Sequence, residues 1–293
     1  MSCGWLGLVT IPVTMPGAWS GLVDDAAVFP PGDATLPDAV AAYAARRGEW
    51  YAEVVGPLVV RDTDLPGVPA DVPVSVVLTG GAGAVAGVAR LAATKGHTLV
   101  GLEAAVRDLD DLAGNVRRIT AAVDAARGDG HLDETAVFVE LPQADPTPAW
   151  LSAADEVAAA EHHLKLRTGG LEAHLFPSAA TVAAWIDAAL DRETSFKCTA
   201  GLHHAVRHRD HETGFEHHGF LNVLLATRLA FDGGTPDEVA RVLDDHYAND
   251  LVALARQADL AGARRWFTSY GSCSVSEPVD DLVGLGLLEA PRA

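Results

Sequence analysis

With 293 residues, 49% of them apolar and 21% charged, the chain is long enough to bury a large core without disulfide or metal staples, and its composition excludes wholesale disorder. Its 40 acidic side chains against 21 basic ones give a formal charge of −19, which would repel a phosphate backbone, so no nucleic-acid partner is expected. No run of 18 apolar residues escapes Pro, Gly or charge, so no membrane partner is expected either.

Residues 1–20 are apolar, but they lack a basic leader and are broken by Pro12 and Pro16, so they read as an ordered N-terminal arm rather than a signal peptide. From there short apolar runs bounded by Gly, Pro and Asp alternate with Ala-rich amphipathic stretches. The runs lie at 21–29, 55–60, 74–78, 99–106, 136–141, 163–168 and 196–202; the helical patterns lie at 36–47, 84–94, 108–127, 149–160 and 179–190. Strand and helix taking turns implies βαβ units on a parallel sheet. With an eighth strand at 265–268, the pattern predicts an α/β fold: a (β/α)8 barrel of TIM type, or else an open doubly wound sheet. No Gly-x-Gly-x-x-Gly follows an early strand and no Walker loop occurs, which favours the barrel.

The segment 203–260 is longer than any other connection and turns helical after Gly219. It is expected to be an insertion between strands seven and eight, forming a lid or a side layer within a single barrel domain over 21–293. Its stretch 221–230 would cap the barrel mouth or make a contact in a homo-oligomer, and the sequence leaves both open. Trp150, Trp185 and Trp266 fall at core spacings. Cys3, Cys198 and Cys273 fit no disulfide or zinc framework, so a cytoplasmic, reducing location is expected.

The basic residues are unevenly chosen, 18 Arg against 3 Lys. Lys95 sits at a predicted helix end, where the dipole favours cations. Lys165, in HHLKLRTGG, alternates with Leu164 and Leu166 and shares its face with Arg167; Lys197, in SFKCTAGLHH, shares its face with Thr199. Both lysines would point into the barrel, where repulsion and desolvation are expected to lower the pKa of at least one. A neutral amine attacks carbonyls to form a Schiff base, which arginine cannot do. The competing reading is structural, with Lys165 paired to Glu140 on the preceding strand.

Lys165-Leu-Arg-Thr168-Gly169 resembles the Lys-x-x-Thr-Gly strand of the deoxyribose-phosphate aldolases, and Lys197-Cys-Thr-Ala-Gly201 is similar to their following Lys-x-Ser/Thr-Gly-Gly strand. Thinner likenesses run through 22–35, 138–141 and 264–272. The resemblance implies a (β/α)8 barrel, class I aldolase chemistry without a cofactor, and a small-molecule carbonyl substrate that carries a phosphate in that family. It implies that Lys165 forms the carbinolamine and imine, and that Lys197 tunes it and helps move protons. Glu103 would stand in for the fourth-strand Asp, and Ser269, Gly271 and Ser272 would cradle a phosphate.

Other candidates come from the residues themselves. Asp24, Asp25, Glu103 and Glu140 could hold an ammonium or relay a proton. Arg167 and Thr199 share the inward faces of strands six and seven with the lysines and would bind substrate there, and the resemblance implies the same for Thr168, Gly169 and Gly201. Of the 12 histidines six lie at 203–218. His203 and His204 are expected to end the seventh strand, where barrel catalytic residues collect, with His203 as a substrate contact. A metal-dependent hydrolase or isomerase using His203, His204 and His208 is the first alternative, a non-catalytic small-molecule-binding barrel the second.

Overall fold

A computed structural model describes residues 15–291. Most of the expected N-terminal arm, with Cys3, therefore lies outside the described residues. In chain order the elements are β1 (Val23–Asp25), α1 (Leu36–Arg46), β2 (Val55–Arg61), β3 (Val74–Val77), α2 (Val85–Lys95), β4 (Leu99–Ala105), α3 (Leu112–Gly128), β5 (Ala136–Glu140), α4 (Pro148–Ala159), β6 (His163–Arg167), α5 (Ala179–Asp191) and β7 (Phe196–Thr199). A short antiparallel hairpin follows, β8 (His208–Arg209) and β9 (Glu216–His217), then α6 (Phe220–Phe231), α7 (Pro236–Leu243), α8 (Ala248–Ala255), α9 (Leu260–Ala263), β10 (Phe267–Ser272) and α10 (Ser276–Gly284).

Eight strands close into a parallel barrel in the order β1-β10-β7-β6-β5-β4-β3-β2, so the fold is an α/β (β/α)8 TIM barrel. Local chemistry starts the helices: Thr35, Thr147 and Ser178 each accept a backbone N–H of the first turn, and Pro follows Thr147 directly. α2 ends at Lys95 on Gly96, whose φ of 71° makes a left-handed stop. The outward faces of the strands, among them Leu164, Leu166 and Cys198, are buried under the helices, and Trp150, Trp185 and Trp266 are buried as expected.

Three boundaries differ from the sequence reading. β1 is only three residues long, because the run 26–29 turns away through hydrogen bonds from Phe29 N to Ala26 O and from Asp33 N to Phe29 O. The last strand covers Phe267–Ser272 rather than 265–268, since Arg264 and Arg265 belong to the turn that leaves α9. β7 stops at Thr199, where Ala200 (φ 62°) and Gly201 (φ 78°) turn the chain in left-handed geometry. His203 and His204 therefore lie beyond the strand, not at its end.

The insertion is a side layer. α6 packs against α5, α7, α9 and β10, and its residues 220–227 are all buried, which gives the stretch 221–230 a place among the crossover helices and not over the mouth. No helix of the described residues is long and apolar enough to cross a membrane.

Two glycines let the β6 and β7 end loops touch. A Cβ on Gly169 would lie 2.9 Å from the Gly201 Cα and 3.0 Å from Phe176, so backbone meets backbone here. Gly169→Ala should lower stability by about 1–3 kcal/mol, read as a fall in the denaturation midpoint at unchanged slope. His218 anchors the hairpin: it is fully buried, donates Nε2–H to Pro177 O (2.8 Å) and faces Arg207 through Nδ1 (3.1 Å). Burial lowers its pKa to about 4, which Arg207 reinforces and the Pro177 contact opposes. A depressed imidazole stabilises above the ordinary value of 6.5 and loses that contribution as pH falls toward about 4. Thermal denaturation across that window should show the decline in the native protein and a flatter curve in His218→Gln.

Candidate functional site

The barrel interior holds an unbroken chain of acids and bases. Ser269 Oγ donates to Asp24 Oδ2 (2.9 Å), which also accepts from Lys197 Nζ (2.5 Å); Lys197 Nζ reaches Glu103 Oε1 (2.7 Å) as well. The other Glu103 oxygen takes Lys165 Nζ (2.8 Å), which spans to Glu140 Oε2 (3.0 Å), and Glu140 Oε1 accepts from Arg167 Nε (3.2 Å). Strand register explains the order. Glu140 is the Cα partner of Lys165, Lys165 of Lys197, and Lys197 of Ser269, so all four belong to one level of four adjacent strands. Asp24 and Glu103 reach in from β1 and β4.

Both lysines share one dry interior, as alternation requires, with side-chain exposures of 6% for Lys165 and 2% for Lys197. The expected lowering of an amine pKa does not occur. Burial pulls the Lys165 ammonium down, but Glu103 and Glu140 more than offset it and the direction is upward. Lys197 is likewise pulled down by burial and driven up further by Asp24 and Glu103. Burial raises Glu103, yet the two ammonium groups hold it well below the carboxylate range. The same balance, against Lys165 and Arg167, lowers Glu140. Asp24, paired with Lys197, stays above its ordinary value because burial dominates. Three carboxylates thus meet three cations, Lys165, Lys197 and Arg167, and the cluster is neutral as a whole.

Four residues outside the predicted set shape this cluster. Ser75 Oγ donates to Glu103 Oε1 (2.6 Å) and is the one polar residue in an apolar strand, a signal that was open to reading. Gly101 makes room for it: a Cβ there would lie 2.8 Å from Ser75 Oγ. Gly56 does the same for Asp24, with a Cβ position 2.3 Å from Asp24 Oδ1. Phe138 places its ring 5.1 Å from Lys197 Nζ.

Other predicted residues go elsewhere. Asp25 faces away from the lysines and pairs with Arg46, because neighbouring strand residues point to opposite faces. Thr168 is buried and donates to Ala200 O (2.7 Å), and with Gly169 and Gly201 it packs one loop on another. Arg167, Thr199 and Gly271 are register partners one level above the lysines. The serines do not form an open phosphate turn: Ser269 is inside β10 on Asp24, and Ser272 is buried, donating to Ser274 O (2.7 Å). A cavity of about 570 Å³ at the start of β5 and β6, beside Arg127, Glu134 and His163, is lined by none of the predicted site residues.

The histidines cluster without converging on a metal position. His203 Nδ1 faces Glu277 (3.1 Å) and His204 Nδ1 faces Asp281 (3.1 Å), both on α10, while His208 packs between the rings of His204 (4.7 Å) and His217 (5.2 Å). Among the described residues no three His, Cys, Asp or Glu side chains are placed to hold a metal ion, so the His203, His204 and His208 set lacks a ligand geometry.

The sequence matches no protein-family model and no curated protein. What the geometry offers by itself is a buried amine bracketed by two carboxylates that can take and return its proton.

Lys197→Met would leave Asp24 and Glu103 facing each other with one ammonium fewer. It should cost about 3–5 kcal/mol at pH 7 in denaturant titrations. Adding Asp24→Asn should recover part of that loss, because the leftover charge is what destabilises.

Proposed function

We propose that the chain is a Schiff-base-forming lyase that makes or breaks a carbon–carbon bond beside a carbonyl, with Lys165 as the nucleophile. The observation that carries this reading is Lys165 Nζ between Glu103 Oε2 and Glu140 Oε2, 2.8 and 3.0 Å away, inside a TIM barrel. The likeness of residues 165–169 and 197–201 to the deoxyribose-phosphate aldolases supports it.

A raised ammonium pKa is compatible with imine chemistry, because the overall step conserves charge. An ammonium and a carbonyl become an iminium and water, and both nitrogen species carry one positive charge. The carboxylates that hold the ammonium therefore hold the iminium equally. Only the attack needs a free amine. Lys165 passes a proton to Glu140, the better exposed of its two partners at 16%, and the amine adds to the carbonyl carbon. The resulting carbinolamine loses water as Glu140 returns the proton to the departing oxygen. In the cleavage direction a carboxylate takes the proton of the β-hydroxyl, the carbon–carbon bond breaks, and its electron pair enters the iminium to give an enamine plus an aldehyde. Protonation of the enamine and hydrolysis restore Lys165.

Lys197 is the poorer nucleophile. It is held between Asp24 and Glu103, both of them buried, and its two strongly bound carboxylates leave no acceptor near solvent. Its role is to keep Glu103 ionised, so that the central carboxylate stays available to Lys165.

A second reading is favoured by one observation: both lysines are fully ion-paired, as expected for a non-catalytic, small-molecule-binding barrel. Borohydride reduction in the presence of a panel of aldehydes and ketones separates the two. The lyase predicts a stable mass increase located at Lys165 by peptide mapping and lost in Lys165→Ala. Exposed Lys95, the remaining lysine of the chain, reports non-specific labelling. Labelling no faster at Lys165 than at Lys95 with every carbonyl would leave the binding barrel in its place.

A further inference from the structure

The level of the barrel just above Lys165 carries a second recognition element. Arg167 lies two residues along β6 from Lys165 on the same inward face, about 7 Å nearer the strand end. Its side chain is 39% exposed, while that of Lys165 is 6% exposed. Glu140 ties the two together by using one oxygen for each. Only the Nε of Arg167 is engaged. Its two terminal nitrogens carry no hydrogen bond or ion pair among the described residues, which leaves the end-on fork of the guanidinium open. The register partner of Arg167 is Thr199, followed by Gly271, where an added Cβ would touch nothing closer than 3.6 Å. The serines that resemble a phosphate loop, in contrast, already bond within the protein.

We infer that the substrate carries a carboxylate within one or two carbons of its carbonyl, bound end-on by Arg167, and that this carboxylate triggers formation of the Lys165 amine. The inference rests on the Schiff-base reading of the same site.

Charge gives the trigger. In the resting site Glu140 is an ion pair with both Lys165 and Arg167. A substrate carboxylate on Arg167 adds a like charge beside Glu140 and competes for its guanidinium partner. Both effects favour the protonated form of Glu140, and the nearest proton is that of Lys165. The ligand charge also favours the ammonium, so the transfer is driven by the loss of Arg167 from Glu140 rather than by the added charge alone. The proton moves from Nζ to Oε2, leaving a neutral amine facing the carbonyl of the molecule that caused the transfer. A neutral carbonyl compound lacks this effect and meets an ammonium group. Substrate charge would thus act on the rate of attack as well as on binding.

The test uses the whole protein and reductive trapping with cyanoborohydride. Rates of adduct formation at Lys165 are measured for matched pairs, glyoxylate against acetaldehyde and pyruvate against acetone, each normalised to the adduct at exposed Lys95. The expected result is trapping at least about tenfold faster for the carboxylated member, the scale of one charge-assisted contact. In Arg167→Met that ratio should fall to near one, and Arg167→Lys should keep part of it. Added propionate should speed acetaldehyde trapping in the native protein and leave Arg167→Met unchanged, a readout that purely structural loss would not produce. Equal normalised rates within each pair, an undiminished ratio in Arg167→Met, or faster trapping of a phosphorylated aldehyde than of glyoxylate would each overturn the inference and leave the Schiff-base reading standing. Absence of any Lys165 adduct would remove both.

Discussion

The carboxylate of Glu103 stands between two buried ammonium groups and makes their coexistence feasible. Two such charges in a dry interior repel each other and lose their hydration, a combination that burial alone could not sustain. Glu103 gives one oxygen to each lysine, and Asp24 and Glu140 complete the pairing on either side. Much of the nearby sequence serves this arrangement. Ser75 supplies a further hydrogen bond to Glu103, Gly101 leaves the space Ser75 occupies, and Gly56 leaves the space for Asp24. The closed parallel sheet brings side chains from β1, β4, β5, β6 and β7 to one point, which an open sheet would have spread along a line.

Reactivity in such a site follows from where protons can go. A lysine with a depressed pKa is deprotonated before substrate arrives; here the carboxylates keep Lys165 charged at rest. In the proposed lyase the same carboxylates would suit an iminium, so the positive nitrogen would be matched before and after condensation, and the step to be overcome would be one short transfer to Glu140. Arg167 sits on the other oxygen of that carboxylate, where charge brought by a ligand is felt most directly.

Much of this was legible in the sequence. Alternating leucines beside Lys165, and Phe196 and Cys198 beside Lys197, put both amines inside, and regular strand–helix spacing pointed to the barrel. Glu103, Glu140 and Asp24 were recognisable as polar residues in strand-like runs, whereas Ser269 reads as part of a turn. What could not be read was which strand lies against which level, because register between strands is a non-local property. That is why the amines were expected to perturb each other directly, when in fact three carboxylates lie between and beside them. The end of β7 was missed for a local reason: Ala200 takes a left-handed conformation that its side chain does not announce. Ser272 looked like a loop donor because Ser and Gly are frequent in turns, and only the pairing of β10 with β1 shows it to be strand.

Because Glu103 is shared, the two amines cannot drift apart in evolution one substitution at a time. Removing either lysine leaves Glu103 with one ammonium fewer, and removing Glu103 leaves each lysine a single carboxylate and the cluster one positive charge in excess, so single changes pass through a penalised intermediate. Descendants of this barrel should therefore differ at positions 24, 103, 165 and 197 in compensated sets or not at all, while Thr199 and Gly271, which carry no charge, are free to diversify.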